Sequence, residues 1–268
     1  MKFNYRETTD DLQTRIDIHT RYGQKNIDEW MLEVLPMKQR MRILDIGCGS
    51  GKQCFLFYYH LDGECDIIGG DVSEELLTQG QLTAVENEVD ITFQVLDFNK
   101  SFPFNDNEFD LITCCFAIYY AEDMPFTIQE IHRVLKPGGT FFTTGPLPSN
   151  KQMFYDIITA ATGKEIPPMP GSSRFDSEIK KTVEDQFSSV QLLVFENPLV
   201  FDDSPRPFLE YTKASISEDR KLWNNLFDQE ENFEKVMEKI TEIAEEWFER
   251  DGNLVMTKVV GGIMAKKA

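Results

Sequence analysis

The chain has 268 residues, 41% apolar and 27% charged, which fits an ordinary soluble protein long enough for one large α/β domain or a domain carrying a sizeable insertion. Asp and Glu outnumber Lys and Arg by 46 to 27, a formal net charge of −19, so DNA and RNA, whose binders gather basic side chains, are excluded as expected partners. No run approaches the ~18 apolar residues of a membrane span, and the polar, charged N-terminus lacks the apolar core of a signal peptide; no membrane partner and a cytoplasmic location are expected.

From Tyr5 to Tyr22 the sequence is polar and aromatic, with Ile16 and Ile18 as its apolar points, and Asp28 to Leu35 has a helical pattern that Pro36 ends. Met41, Ile43, Leu44 and Ile46 then form the short apolar run of a buried parallel strand, interrupted by Asp45. Gly47, Gly49 and Gly51 follow at alternate positions, where left-handed angles and close approach of a ligand to the backbone become possible. A helix starting near Lys52 aims its free N–H groups at whatever occupies that turn. A dinucleotide fingerprint requires glycine where Lys52 stands, which disfavours a nicotinamide-dependent oxidoreductase.

A helix through Leu56 to His60 leads to a second strand, Asp66 to Asp71. Asp71 stands twenty positions after Gly51, the offset at which a strand-end carboxylate can accept both hydroxyls of a ribose seated on a glycine turn. It can equally cap the next helix, as can Ser73 with Glu75. After a helix bearing Leu76, Leu77 and Leu82, the alternating strand Ile91 to Leu96 again stops at an acid, Asp97. A fourth strand begins at Phe109. The helix ending Ile131-His132-Arg133-Val134-Leu135 is broken by Lys136-Pro137-Gly138-Gly139, whose Pro and Gly suit a type II turn feeding a fifth strand, Thr140 to Thr144. His132 lies on a helix remote from the expected binding edge and is read as structural.

Lys151 to Thr162 reads as a helix, Gly163 to Ser173 as a Pro-rich loop able to close over a pocket, and Val190 to Phe201 and Leu254 to Ala265 as sixth and seventh strands. Between those strands a polar insert carries Phe233, Val236, Met237, Ile240, Ile243, Ala244, Trp247 and Phe248 at helical spacing, stopped by Gly252. Five cysteines, Cys48, Cys54, Cys65, Cys114 and Cys115, form no pair of Cys-x-x-Cys units, and the three histidines are scattered, so reduced thiols and no metal site are expected.

Strands alternating with helices predict a mostly parallel sheet with helices on both faces, binding its ligand outside the carboxyl ends of the strands. The acid followed by Gly-x-Gly-x-Gly, the strand-end acids, Phe109-Asp110-Leu111-Ile112 and Arg133-Val134-Leu135-Lys136-Pro137-Gly138-Gly139 together cover Met41 to Thr144 and resemble the class I S-adenosylmethionine-dependent methyltransferases of small-molecule type. The resemblance implies a Rossmann-like seven-stranded sheet with its last strand antiparallel, and S-adenosylmethionine as cofactor. It implies a methyl transfer to an oxygen or nitrogen atom of a small-molecule acceptor; a non-catalytic nucleoside-binding partner subunit is the alternative. Domains are expected at 1–40 (helical lid), 41–200 (core), 201–253 (helical insert) and 254–268 (last strand).

By the same resemblance, Asp45, Gly47, Cys48 and Gly49 meet the amino-acid portion of the cofactor, Asp71 the ribose, and Asp97 and Phe98 the adenine, with Val72, Cys115 and Phe116 at the edge of the transfer pocket, and Tyr22 in the lid as further cofactor contacts. Tyr119-Tyr120 stands where many family members have His-His, leaving His19 and Tyr120 as candidate bases. Tyr5, Tyr22, Tyr119, Tyr120, Arg174 and Tyr211 are the candidate substrate contacts.

Overall fold

Each strand-then-acid phrase of the sequence becomes one parallel strand in the computed structural model, which describes residues 9–166, 170–216 and 232–268; Tyr5 lies outside them. The strands are β1 (Arg42–Ile46), β2 (Asp66–Asp71), β3 (Ile91–Val95), β4 (Phe109–Cys115), β5 (Leu135–Pro146), β6 (Ser189–Phe201) and β7 (Leu254–Lys266). They form one seven-stranded sheet in the order β3-β2-β1-β4-β5-β7-β6. β1 sits between β2 and β4 with Leu44 level with Ile68 on one side and Ile112 on the other. β3 and β5 extend the parallel pairing outward, and β7 runs antiparallel to β5, Phe142 opposite Met264. The strand order reverses between β1 and β4, which puts the topological switch point at the carboxyl end of β1.

The helices are α1 (Thr9–Tyr22), α2 (Ile27–Val34), α3 (Lys52–His60), α4 (Glu74–Glu86), α5 (Met124–Val134), α6 (Gln152–Thr162), α7 (Pro170–Arg174), α8 (Lys180–Gln186), α9 (Arg206–Ile216) and α10 (Asn232–Asp251). Ser73 caps α4 by accepting from the Leu76 N–H, and Asp123 caps α5 through Phe126. Gly138 takes φ +75°, the left-handed angle that the third position of the Lys-Pro-Gly-Gly turn requires. One expectation needs correction: the Pro-rich stretch is not a loop as far as Ser173. From Pro170 it is helical, passing through a π turn at Phe175–Ile179 into α8. Proline is tolerated in the first turn of a helix because the N–H it lacks has no partner there.

The chain forms two compact units. One comprises residues 27–148, 170–195 and 260–268, with Met31, Ile43, Cys54, Phe57, Ile67, Leu111 and Phe142 in its core. The other comprises residues 9–26, 149–166, 196–216 and 232–259, built around Phe154, Ile157, Phe201, Phe208, Tyr211, Ile240 and Met256. The stripe on α10 meets this second core through Val236, Met237, Ile240, Ile243, Ala244, Trp247 and Phe248, as its spacing predicts. Asn26 and Ile27 fall in different units, inside the segment expected to act as one lid. Among the described residues no helix is long and apolar enough to cross a membrane, and no group of His, Cys, Asp and Glu could hold a metal ion.

Candidate functional site

β1 delivers the chain to the switch point with Asp45 wholly buried. The Thr113 hydroxyl donates to its Oδ1 at 2.6 Å and the Cys54 thiol faces Oδ2 at 3.7 Å. Burial pushes this carboxyl up to about 7, against those two hydrogen bonds and with the nearby charge of Asp71 adding to the rise. Thr113 carried no signal in the sequence. It is an internal residue of an apolar strand, and only the parallel register of β4 with β1, where it stands beside Asp45, reveals its job.

Beyond Ile46 the three glycines each take left-handed angles: φ +68° at Gly47, +56° at Gly49 and +89° at Gly51. The N–H groups of Gly47 and Cys48 both reach the Gly70 carbonyl at the end of β2 (2.7 and 3.1 Å). The next N–H, from Gly49, donates to Asp71 Oδ2 at 2.8 Å, while Asp71 Oδ1 accepts from Ser73 at 2.9 Å. Asp71 therefore braces the glycine turn and leaves the capping of α4 to Ser73. An ionised carboxylate accepts at roughly four positions, so two lone pairs remain for a ligand. α3 opens directly after the turn, and Gly51 at its N-cap offers no side chain to the first N–H groups of the helix. A side chain at Gly49 would meet its nearest atom, Leu76 Cδ1, only at 3.9 Å, the open space of a cradle.

Asp97 follows β3. Partial burial works to raise its carboxyl, but the Asn99 N–H and the Lys100 ammonium at 3.1 Å hold it below the usual carboxylate range. Phe98 is half-buried, its carbonyl held by the Thr127 hydroxyl at 3.0 Å. Val72, after Asp71, is largely exposed. At the end of β4, Cys115 is half-buried with its thiol 3.9 Å from Met31 Sδ, and Phe116 takes φ +56° with an exposed ring. A bulky residue at such an angle is strained and held by its surroundings, here by its N–H on the Thr144 carbonyl at 2.9 Å. Asp45, Gly47, Cys48, Gly49, Asp71, Val72, Asp97, Phe98, Cys115 and Phe116 thus all lie at or just past strand carboxyl ends of one unit.

Tyr119 and Tyr120 occupy a single 3-10 turn after β4, their rings 4.8 Å apart. The Arg174 guanidinium donates to the carbonyls of Tyr119 (2.7 Å) and Ala121 (3.3 Å) and pairs with Glu178. That makes Arg174 the brace of the tyrosine turn. The remaining candidates belong to the other unit. Tyr22 packs its ring 5.0 Å from Phe201. Tyr211 is buried and meets the His19 ring edge-on at 5.6 Å. Burial, and then Lys258, Lys151 and Arg15, drive His19 down to about 2, so its imidazole is neutral and weakly basic. His132 packs against Phe187, away from the strand carboxyl ends.

A parallel sheet with a glycine turn at its switch point, a helix N-terminus behind the turn and an acid on the neighbouring strand defines a nucleoside-binding α/β domain. Residues 37–194, more than half of the chain, match the model of the family described as "Methyltransferase domain". The chain belongs to that family, as a class I S-adenosylmethionine-dependent methyltransferase.

The demethylmenaquinone methyltransferase of Symbiobacterium thermophilum is 37% identical over 100 residues, covering 37% of this chain and 40% of that protein. The phosphoethanolamine N-methyltransferase 3 of Arabidopsis thaliana is 29% identical over 113 residues, 42% of this chain and 22% of that one. The matches thus span less than half the length of either relative. In fold, the chain is similar to the solved structure of the YcgJ protein of Bacillus subtilis, with a TM-score of 0.57 at 18% identity over 90% of this chain and 97% of that one.

Proposed function

We propose that the chain moves a methyl group from S-adenosylmethionine to an oxygen or nitrogen atom of a small-molecule acceptor by in-line displacement. The observation that carries this reading is the Asp71 carboxylate resting on the N–H of a left-handed Gly49, which sets an acceptor for ribose hydroxyls at the lip of the glycine turn. The residues present fit the cofactor. The turn and the open start of α3 suit a carboxylate, and Asp97 with the backbone of Phe98 suits the amine edge and face of an adenine, whereas Asp45 is buried with its two oxygens on Thr113 and Cys54.

When bound, S-adenosylmethionine supplies a methyl group on a sulfonium whose positive charge disappears in the displacement. The protein's share is alignment, which supplies on the order of 7–11 kcal/mol in favourable intramolecular cases. The tyrosine turn braced by Arg174, and the strained Phe116 beside it, are the groups this unit offers to confine an acceptor. His19 is too weakly basic to take a proton at neutral pH, which favours acceptors that are nucleophilic without a base, neutral amines above alcohols. The net charge of −19 disfavours nucleic acid as the acceptor. The named acceptors of the two relatives, a demethylated quinone and a phosphorylated amine, are small molecules too.

The test is binding followed by product. S-adenosylhomocysteine should raise the melting temperature saturably, and mass spectrometry over a panel of small amines, alcohols and carbon acceptors should find an amine or alcohol product heavier by one methylene unit. Absence of any thermal shift at millimolar ligand overturns the cofactor assignment, and transfer only to carbon acceptors overturns the oxygen or nitrogen assignment.

A further inference from the structure

Of the charged groups that S-adenosylmethionine brings, the ammonium finds no carboxylate in Asp45, whose two oxygens are taken up by Thr113 and Cys54 inside the sheet. Another carboxylate stands close to the turn. Asp28, in the first turn of α2, accepts from the Lys52 ammonium at 2.9 Å, and Lys52 is the first residue of α3, directly after Gly51. Met31 lies three residues beyond Asp28 on the same face of α2, and its Sδ is 3.9 Å from the Cys115 thiol at the tip of β4. The charges of Asp28 and Lys52 both act on that thiol. The ion pair therefore belongs to the switch point between β1 and β4, in the same compact unit as the glycine turn.

Neither the strength nor the placement of this pair suits a purely structural role. A cation in the first turn of a helix opposes the helix dipole, and α3 has no acid in its first turn to offset Lys52. With the Lys52 side chain 64% exposed, the pair adds little to stability, because water screens it and both side chains lose freedom in making it. The same exposure lets it open at small cost. Its two charges stand in the order that a zwitterion requires. The positive one adjoins the glycine turn, which suits a carboxylate, and the negative one is carried by α2.

We infer that Asp28 and Lys52 form a latch at the glycine turn that opens onto the amino-acid end of the cofactor, Lys52 pairing with its carboxylate and Asp28 with its ammonium. One ion pair is exchanged for two, so no charge is left uncompensated, and α2 stays fastened to the turn through the ligand. The exchange selects a zwitterion: a nucleoside without the amino-acid end leaves the latch shut. The inference rests on the S-adenosylmethionine reading and adds two residues to that site.

The test compares S-adenosylhomocysteine with methylthioadenosine, a nucleoside thioether that lacks the amino-acid end, by titration calorimetry on the full chain. Lys52→Met and Asp28→Asn should each weaken S-adenosylhomocysteine binding by about tenfold or more, and change methylthioadenosine binding by less than about twofold. The double variant Lys52→Asp with Asp28→Lys rebuilds the ion pair with its charges reversed. It should melt close to the parent, since each helix start trades one sign for the other, yet still bind S-adenosylhomocysteine about tenfold more weakly or worse. A structural staple gives a different pattern, with equal losses for both ligands in the single variants and recovery of both in the reversed pair. That pattern, or S-adenosylhomocysteine affinity unchanged in the single variants, overturns the latch while the parent still binds both nucleosides. A parent chain that binds neither overturns the cofactor reading, and the latch with it.

Discussion

Asp71 Oδ2 accepts the N–H of Gly49 at 2.8 Å, tying the tip of β2 to the glycine turn that leaves β1. One carboxylate thus shapes the turn and faces the space above it. Asp71→Ala should weaken S-adenosylhomocysteine binding by about ten- to a hundredfold, the worth of a charge-assisted hydrogen bond or two. Asp71→Asn keeps one acceptor oxygen and should lose less. Titration calorimetry on both variants checks the order. Equal and unchanged affinities would remove Asp71 from the site.

Gly51 and Gly138 both have positive φ, yet they should respond differently to alanine. A Cβ at Gly51 would stand 2.5 Å from Phe93 Cζ, and the Phe93 ring cannot retreat, because it also fills the space over Gly69 and Gly80. At Gly138 a Cβ meets nothing within 4 Å. Gly138→Ala should therefore cost about 1 kcal/mol for the backbone angle alone, and Gly51→Ala about 2–4 kcal/mol once overpacking is added. Urea unfolding of the two variants measures the gap; equal losses would mean that the ring yields.

The parallel half of the sheet is legible because β1, β2 and β4 are buried runs and β3 alternates, and because β1, β2 and β3 each close on an acid or a glycine turn. Asp45, Asp71, Asp97 and the three glycines come with that pattern, since spacing along one strand–turn–helix unit is local information. What escapes is non-local. Thr113 reaches Asp45 only through strand register, and Arg174 reaches Tyr119 from 55 residues away. The helix from Pro170 was hidden behind prolines that read as a loop, although proline in a first turn is compatible with a helix.

Asp45 gives the folded protein an unusual pH response. Its carboxyl rises to about 7 in the folded state, from an ordinary value of 3.8. Between those two values the folded state holds a proton that the unfolded state has released, so stability falls as pH rises through that window. Asp45→Asn removes the proton exchange. Its melting temperature, measured from pH 4 to pH 8 without ligand, should lack a downward component that the parent shows, and the variant should gain relative to the parent toward the alkaline end. Parallel curves for the two proteins would show that Asp45 is ionised throughout when buried.

His19 is the residue for which stability and catalysis give separate readouts. Burial and the nearby Lys258, Lys151 and Arg15 lower it from 6.5 to about 2, with Tyr211 the remaining titratable group packed on its ring. Over that interval the unfolded chain binds a proton that the folded chain refuses, so this group's contribution to stability grows as pH rises and is lost in acid. His19→Gln should lose less stability than the parent on going from neutral pH to pH 4. In catalysis, a group this weakly basic has no titration between roughly pH 5 and 8, so kcat/KM should show no limb belonging to it. His19→Gln should accordingly keep the shape of the pH–rate profile, with activity lowered by less than about tenfold through lost packing alone. A limb near pH 6.5 that vanishes in the variant would instead make His19 the base, and would return alcohols to the front of the acceptor list.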